Sequence, residues 1–337
     1  MSSAINRRWL LAHRPEGVVR DSDFRFAEEP VDEPGPGQVL VRVQLLSCDP
    51  TQRGWLYGDT YMPGVAIGEV MRSAGAGRVV ASRHPGFAEG DTVLGLLGWQ
   101  DFAVIAPDGV WPLTKLPPGV PLERALGVLG LNGVTAYFGL LEIGRPQQGE
   151  TVVVSGAAGA TGSVVGQIAK VKGCRAIGIA GGGEKCRWLT EVAGFDAAID
   201  YKRENVVERL AALCPGGVDV FFDNVGGEIL DAALASLAMR GRVVLCGAIS
   251  GYNDLDHMVG PKNYLMLLLR RGRMEGFIVF DFLDRQHVAV EALAGWVAQG
   301  RIKDSVDVQT GLENAPATLR RLFEGKNLGK QLLRVAE

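Results

Sequence analysis

The chain of 337 residues has no block of like charge. Its 35 Lys and Arg nearly balance 38 Asp and Glu, for a formal net charge of −3. With no basic patch, there is no electrostatic footprint for a nucleic-acid backbone. Cysteine is scarce and unpatterned. Cys48, Cys174, Cys186, Cys214 and Cys246 are an odd set with no CxxC pair, which argues against a disulfide framework and for a reducing compartment. Long apolar runs are missing too. The longest, Tyr264 to Leu269, falls far short of the ~20 residues that span a bilayer as a helix. Near the start, Trp9 to Leu11 is too short for a signal-peptide core. These absences lead to the expectation of a cytoplasmic protein with neither a membrane nor a nucleic acid as partner.

What is present is the composition of a soluble enzyme, 47% apolar and 22% charged, with length enough for two domains. Up to about residue 122, Pro and Gly separate short alternating runs such as VLVRVQLL (39–46), GRVVAS (77–82) and DTVLGLLGW (91–99). This pattern predicts a β-rich domain. From about residue 123, apolar runs alternate with helical patterns. The runs are TVVVSG (151–156), CRAIGIAG (174–181), DAAIDY (196–201), VDVFFDNVG (218–226), GRVVLCGAIS (241–250) and RMEGFIVFD (273–281). Near-continuous apolar strands joined by helices predict a parallel sheet covered on both faces. The expected fold class is α/β: a β-rich domain over 1–125 and 300–337, and a doubly wound six-stranded parallel Rossmann domain over 126–299.

The most informative stretch is VVVSGAAGATGSVVGQIAK (152–170). A β-branched run becomes a string of Gly and Ala and then takes on helical spacing. Gly156, Gly159 and Gly162 form a GxxGxxG turn. Without Cβ atoms, its backbone N–H groups can approach a pyrophosphate at the positive end of a helix. Gly162 and Gly166 would let that helix pack close to the sheet. A bare glycine turn without a ligand is the bland alternative. The position of the turn, after a strand and at the start of a βαβ series, favours a dinucleotide.

The second strand tells which dinucleotide. An acid at its tip would bond a ribose 2′-hydroxyl and repel a 2′-phosphate. Here the strand ends in Gly181, Gly182 and Gly183, and Lys185 follows. Arg187 and Tyr201 are possible helpers, and Glu184 could point either way. The expected cofactor is NADP(H), with an ordinary solvated helix lysine as the alternative for Lys185.

A β-rich N-terminal domain before a Rossmann domain resembles the medium-chain dehydrogenase/reductase superfamily, with its GroES-like catalytic domain. Cys48 stands where the zinc enzymes of that superfamily carry their first cysteine. The expected His before a glutamate is Gly68, in GVAIGEV (64–70), and no cysteine-rich lobe follows. Catalytic zinc needs a set of Cys and His ligands, so no metal is expected, and Cys48 is expected to be a small buried hydrophobe. Without a Lewis acid, reduction of an activated C=C bond is easier to support than oxidation of an alcohol. Charge collects on the carbonyl oxygen, where a few hydrogen-bond donors stabilise it.

Nine segments spread over nearly the whole chain carry a closer resemblance. They are NRRWLLAHRPEG (6–17), LSCDPTQR (46–53), GWQDFAVI (98–105), LGVLGLNGVTAYFGL (126–140), VSGAAGATGSVVGQIAK (154–170), FFDNVGG (221–227), CGAISGYN (246–253), RMEGFIVFD (273–281) and NLGKQLL (327–333). With these the chain resembles the zinc-independent alkenal/one oxidoreductases. The resemblance implies NADPH-dependent reduction of the α,β double bond of 2-alkenals and enones, and a homodimer. It implies Gly159, Ala160, Thr161 and Gly162 at the pyrophosphate, and Lys185 and Tyr201 at the 2′-phosphate. Asn224 would stand where the two halves of the cofactor meet. Cys246, Gly247, Ala248, Ile249, Ser250 and Tyr252 would run along the nicotinamide ribose. Phe277, Ile278 and Val279 would line the nicotinamide, and Asn327 would reach the cofactor from the last segment. Asn132 is expected near the carboxamide, or as a helix-start cap.

Substrate contacts are expected from Trp55, Tyr57, Trp99 and Phe282. Two tyrosines common among relatives are missing: Thr51 follows the CDP triplet, and Leu269 stands five residues before Met274. Tyr264 and Tyr61 are the candidates to supply the lost hydroxyl as catalytic hydrogen-bond donors, with ordinary packing as the alternative. Two rival readings stay open. One is NADPH-dependent quinone reduction in the zeta-crystallin-like branch. The other is an NADPH-binding protein without catalysis.

Overall fold

Frequent Pro and Gly keep the first third of the chain in short strands, and the long apolar runs after it build a different kind of sheet. The structure, a computed structural model, describes residues 4–109 and 111–336. The chain divides into two compact units. One runs to Leu126 and resumes at Val306; the other is Gly127–Ser305.

In the first unit, Val39–Ser47 is the central strand. Its alternation buries Val39, Val41, Val43 and Leu45 completely. Ala74–Ser82 pairs antiparallel along one edge, and Lys330–Arg334 pairs along the other through Leu332 opposite Ser47. Thr92–Leu96 and Thr114–Lys115 extend one side, Val306–Thr310 ends the other, and Phe102–Ile105 adds to the first half of Val39–Ser47. A separate hairpin pairs Ile5–Leu11 with Phe24–Pro30.

Helix Thr51–Tyr57 was not anticipated from the sequence. It has only seven residues and turns Gln52, Arg53, Trp55 and Leu56 inward. The last strand is tied in by a buried charge. Lys330, 2% exposed, donates to Asp49 Oδ1 at 2.5 Å and to the Cys48 carbonyl at 3.2 Å.

The second unit holds six parallel strands in the order Ala197–Asp200, Arg175–Ala180, Thr151–Ser155, Val218–Asp223, Leu237–Leu245, Arg273–Gly276. This is the Rossmann order, and it reverses direction beside Thr151–Ser155. Helices Ala160–Val171, Gly183–Glu191, Val206–Leu213 and Gly227–Ala235 alternate with the strands. Right-handed crossovers then place helices on both faces.

Three elements differ from expectation. The helix begun at Gly227 stops at Ala235, and the fifth strand starts at Leu237. That strand stops at Leu245, so Cys246 to Ala248 form a loop instead of continuing it. RMEGFIVFD pairs only over Arg273–Gly276, because an edge strand has one partner and that partner's ladder ends at Leu245. Residues Val279–Arg285 then wind into a 3₁₀ segment. The greasy run before the edge strand forms the short helix Leu265–Arg270, with none of its residues buried. No helix among the described residues is long and apolar enough to cross a membrane.

Candidate functional site

The strand Thr151–Ser155 runs into the glycine turn. Gly156 takes φ +57°, a left-handed conformation that glycine adopts without penalty. Gly159 caps helix Ala160–Val171, whose first turn has no capping side chain and no acidic residue. Its leading N–H groups are therefore the kind of partner an anion finds at a helix start. A Cβ on Gly162 would lie 2.4 Å from the Gly156 carbonyl oxygen, and one on Gly166 would lie 1.9 Å from the Phe195 ring. Both glycines are thus needed for the helix to sit where it does. Asn132, on helix Leu131–Phe138, does not cap that helix; Gly130 stands at the cap. Its amide points to Thr161 Oγ1 at 3.4 Å.

The next strand tip is equally bare. Arg175–Ala180 leads into Gly181, Gly182 and helix Gly183–Glu191, with Lys185 in the first turn. Tyr201 follows the neighbouring strand Ala197–Asp200, and its N–H bonds the Ala180 carbonyl at 3.2 Å. Lys185 and Tyr201 therefore stand on adjacent turns at the same end of the sheet. Glu184 stands beside Lys185 in that first turn, and Asp200, which ends the neighbouring strand, is buried. Its Oδ1 accepts N–H bonds from Gly182 at 2.8 Å and Lys202 at 3.1 Å.

At the point where strand order reverses, a buried network holds three strand ends together. Asp223 is fully buried and accepts from Ser155 Oγ at 2.7 Å and from the N–H groups of Val225 and Gly226 at 3.0 Å. Burial raises its pKa above the ordinary aspartate value, opposed by the hydrogen bonds from Gly226, Ser155 and Val225. Ser155 Oγ in turn accepts Asn224 N–H at 2.8 Å, and Asn224 Nδ2 donates to the Ser155 carbonyl at 2.7 Å.

Cys246 and Gly247 donate to the Asp223 carbonyl, and Ser250 Oγ donates to Val225 at 2.6 Å. Tyr252 OH accepts Ala248 N–H at 3.1 Å. The structure thus brings Asn224 together with Cys246, Gly247, Ala248, Ile249, Ser250 and Tyr252. Sequence reasoning missed Ser155 and Asp223, although a polar residue closing an apolar strand run was the available signal.

The expected nicotinamide segment splits. Phe277 and Val279 pack against the cluster of Val134, Phe138, Phe282 and Ala289, while Ile278 is 36% exposed. Phe282 is closed over in the same cluster, stacked on Phe138 at 4.7 Å. The ring packs in this cluster beside Phe277 and Val279. Tyr264 precedes helix Leu265–Arg270 and is 58% exposed.

In the first unit, Trp99 is fully buried against Phe24, with ring centroids 5.1 Å apart. Trp55 is nearly closed over and lies under the Arg72 guanidinium at 5.4 Å. Tyr57 and Tyr61 are exposed at the two ends of a short segment. The Tyr61 hydroxyl is hydrogen-bonded to Thr51 Oγ1. Asn327 is buried and donates to the Gly329 carbonyl at 2.9 Å within its own turn. Cys48 is buried, which pushes its thiol up to about 12. Among the described residues, no three His, Cys, Asp or Glu gather as a metal-ligand set.

Two family models match, described as the N-terminal domain of oxidoreductase over residues 7–113 and zinc-binding dehydrogenase over residues 160–295. The chain is 44% identical to an NADPH-dependent curcumin reductase of Escherichia coli, covering 98% of this chain and 97% of that protein. It is 38% identical to an NADP-dependent 2-alkenal reductase of Nicotiana tabacum, covering 98% of each.

The chain belongs to the zinc-independent alkenal/one oxidoreductases.

The crystal structure of CurA from Vibrio vulnificus in complex with NADPH superposes with a TM-score of 0.91 at 42% identity, over 98% of this chain and 99% of that one. The architecture of this alkenal/one oxidoreductase is accordingly a GroES-like domain with a Rossmann domain. A quinone oxidoreductase of Escherichia coli, 22% identical with a TM-score of 0.78, shares that fold.

Proposed function

We propose that the protein reduces the α,β carbon–carbon double bond of 2-alkenals and enones with NADPH and without a metal. The observation that carries this reading is its near-full-length similarity, at 44% and 38% identity, to NADPH-dependent reductases of such substrates. The bare tip of the strand Arg175–Ala180, with Lys185 and Tyr201 beside it, supports the phosphorylated cofactor. NADPH, when bound, would supply the hydride that the β-carbon of the substrate accepts, and a proton from water would complete the reduction at the α-carbon.

The chain's own residues bind and orient. Gly159, Ala160, Thr161 and Gly162 hold the pyrophosphate at the start of helix Ala160–Val171. Lys185 and Tyr201 hold the 2′-phosphate. Asn224 and the Cys246–Tyr252 loop, fixed by Asp223 and Ser155, line the nicotinamide end with Phe277, Ile278 and Val279. Asn327 contributes a further cofactor contact. Tyr61, oriented by Thr51, donates a hydrogen bond to the substrate carbonyl, where negative charge gathers as the β-carbon is reduced. Tyr264 is the second candidate for that bond. Tyr57 and the edge of Trp55 form an apolar wall for the substrate tail. The enzyme works in the cytoplasm as a homodimer. Its open edge strand Arg273–Gly276 and the exposed Leu265, Leu268 and Leu269 support the second point.

The test is loss of 340 nm absorbance from NADPH, and separately from NADH, with medium-chain 2-alkenals, aromatic enones and quinones. The reading expects saturated carbonyl products and a preference for NADPH that falls about tenfold in Lys185→Ala. Turnover of quinones alone would move the protein to quinone reduction. Tight NADPH binding without any turnover would make it a binding protein.

A further inference from the structure

Of the three glycines after the strand Arg175–Ala180, only one is required by its backbone. Gly182 has φ +101° and needs glycine. Gly181 has no positive φ; its constraint is contact. A Cβ on Gly181 would lie 2.9 Å from Lys202 Cε and 2.9 Å from Cε1 and Cζ of Tyr201. The Tyr201 ring and the Lys202 stem therefore lie directly against the bare strand tip. This is the tip where an NAD site places its acid.

The two turns are tied to each other from below. Asp200 Oδ1 accepts both the Gly182 N–H and the Lys202 N–H. The Asp200 carboxylate is 7% exposed at the residue level, and the Arg203 guanidinium stands 4.0 Å from its other oxygen. Its negative charge is thus spent on backbone donors beneath the loop, while Lys202 lies above at the surface. A lysine whose stem packs on backbone keeps its ammonium in water at little cost, and the packed stem fixes where that ammonium can go.

We propose that Lys202 determines cofactor specificity: held over the strand tip by the missing side chain at 181, its ammonium meets the ribose 2′-phosphate alongside Lys185. The proposal rests on the NADP(H) reading above. A phosphate carrying close to two charges is matched better by two point cations than by one. Gly181 then has two effects. It removes the acid that would repel the phosphate, and it opens the space through which Lys202 reaches it.

The test measures binding of 2′,5′-ADP and 5′-ADP to the full-length protein by calorimetry, without turnover. Wild type is expected to prefer 2′,5′-ADP. Lys202→Ala is expected to lose about tenfold for 2′,5′-ADP and less than about twofold for 5′-ADP. Lys202→Arg is expected to keep most of the preference. Gly181→Ala leaves Lys202 in the chain but displaces its stem, and is expected to lose the same preference in part. A wild type with no preference would sink the NADP(H) reading and this proposal with it. A wild-type preference that survives in both Lys202→Ala and Gly181→Ala would overturn the role of Lys202 alone.

Discussion

At the scale of single residues, the proposed substrate contact turns on one pair of hydroxyls. The hydroxyl of Thr51 is bonded to that of Tyr61. Truncating Tyr61 to Phe removes the proposed donor to developing negative charge together with the hydrogen bond to Thr51, while the ring stays. Tyr61→Phe is expected to lower kcat about tenfold to a hundredfold with NADPH affinity unchanged, measured by steady-state kinetics beside a fluorescence titration of the cofactor. An unchanged kcat in Tyr61→Phe with a fall in Tyr264→Phe would transfer the role to Tyr264.

A second residue-level prediction concerns His257, 2.6 Å from Asp254. The hydrogen bond to that carboxylate, and then its charge, raise the imidazole pKa above the ordinary value. A raised folded pKa means the pair stabilises its loop fully below the ordinary histidine pKa. That support is lost as pH rises through the raised value. NMR titration of His257 is expected to show the upward shift, and Asp254→Asn is expected to abolish it.

At the scale of elements, the sequence was legible where periodicity and glycine placement agreed. GAAGATG gave both the turn and the helix Ala160–Val171, because close approach at Gly162 and Gly166 leaves no other residue type. It was less legible where contact outside the segment decides. Whether CGAIS continues a strand depends on where the neighbouring ladder stops, at Leu245 and Gly276. The packing of the aromatics was illegible in the same way. Trp99 and Phe282 carry no mark in the sequence of the neighbours they pack on, Phe24 and Phe138.

Lys330 is the reverse case: a lysine in a terminal strand reads as exposed, yet it is buried against Asp49. Removing Lys330 leaves the partly exposed Asp49 with the Ser47 hydroxyl but without its cation. Lys330→Ala is expected to cost about 1–3 kcal/mol, seen as a lowered urea midpoint. Lys330→Met with Asp49→Asn is expected to recover part of it, since neither charge is then left alone. Equal loss in the single and double variants would show that the pair is not the source of the stability.

At the scale of the whole molecule, the second unit's sheet ends in an edge strand with which no further strand pairs among the described residues. Arg273–Gly276 has a partner only on the Leu237–Leu245 side. Just before it, Leu268 is 72% exposed and Leu269 60%. Native proteins rarely leave an open edge beside apolar side chains, because such an edge recruits another strand. A second copy of this chain offers the same edge and the same leucines, which a two-fold contact matches to each other. The expected solution mass is therefore about twice 36.0 kDa, read by light scattering after size exclusion. Leu268→Lys with Leu269→Lys places four like charges across such a contact and is expected to shift the protein to monomer, with NADPH binding kept. A wild type that elutes as monomer at all concentrations would leave the leucines without a partner copy and remove the homodimer from the proposed function.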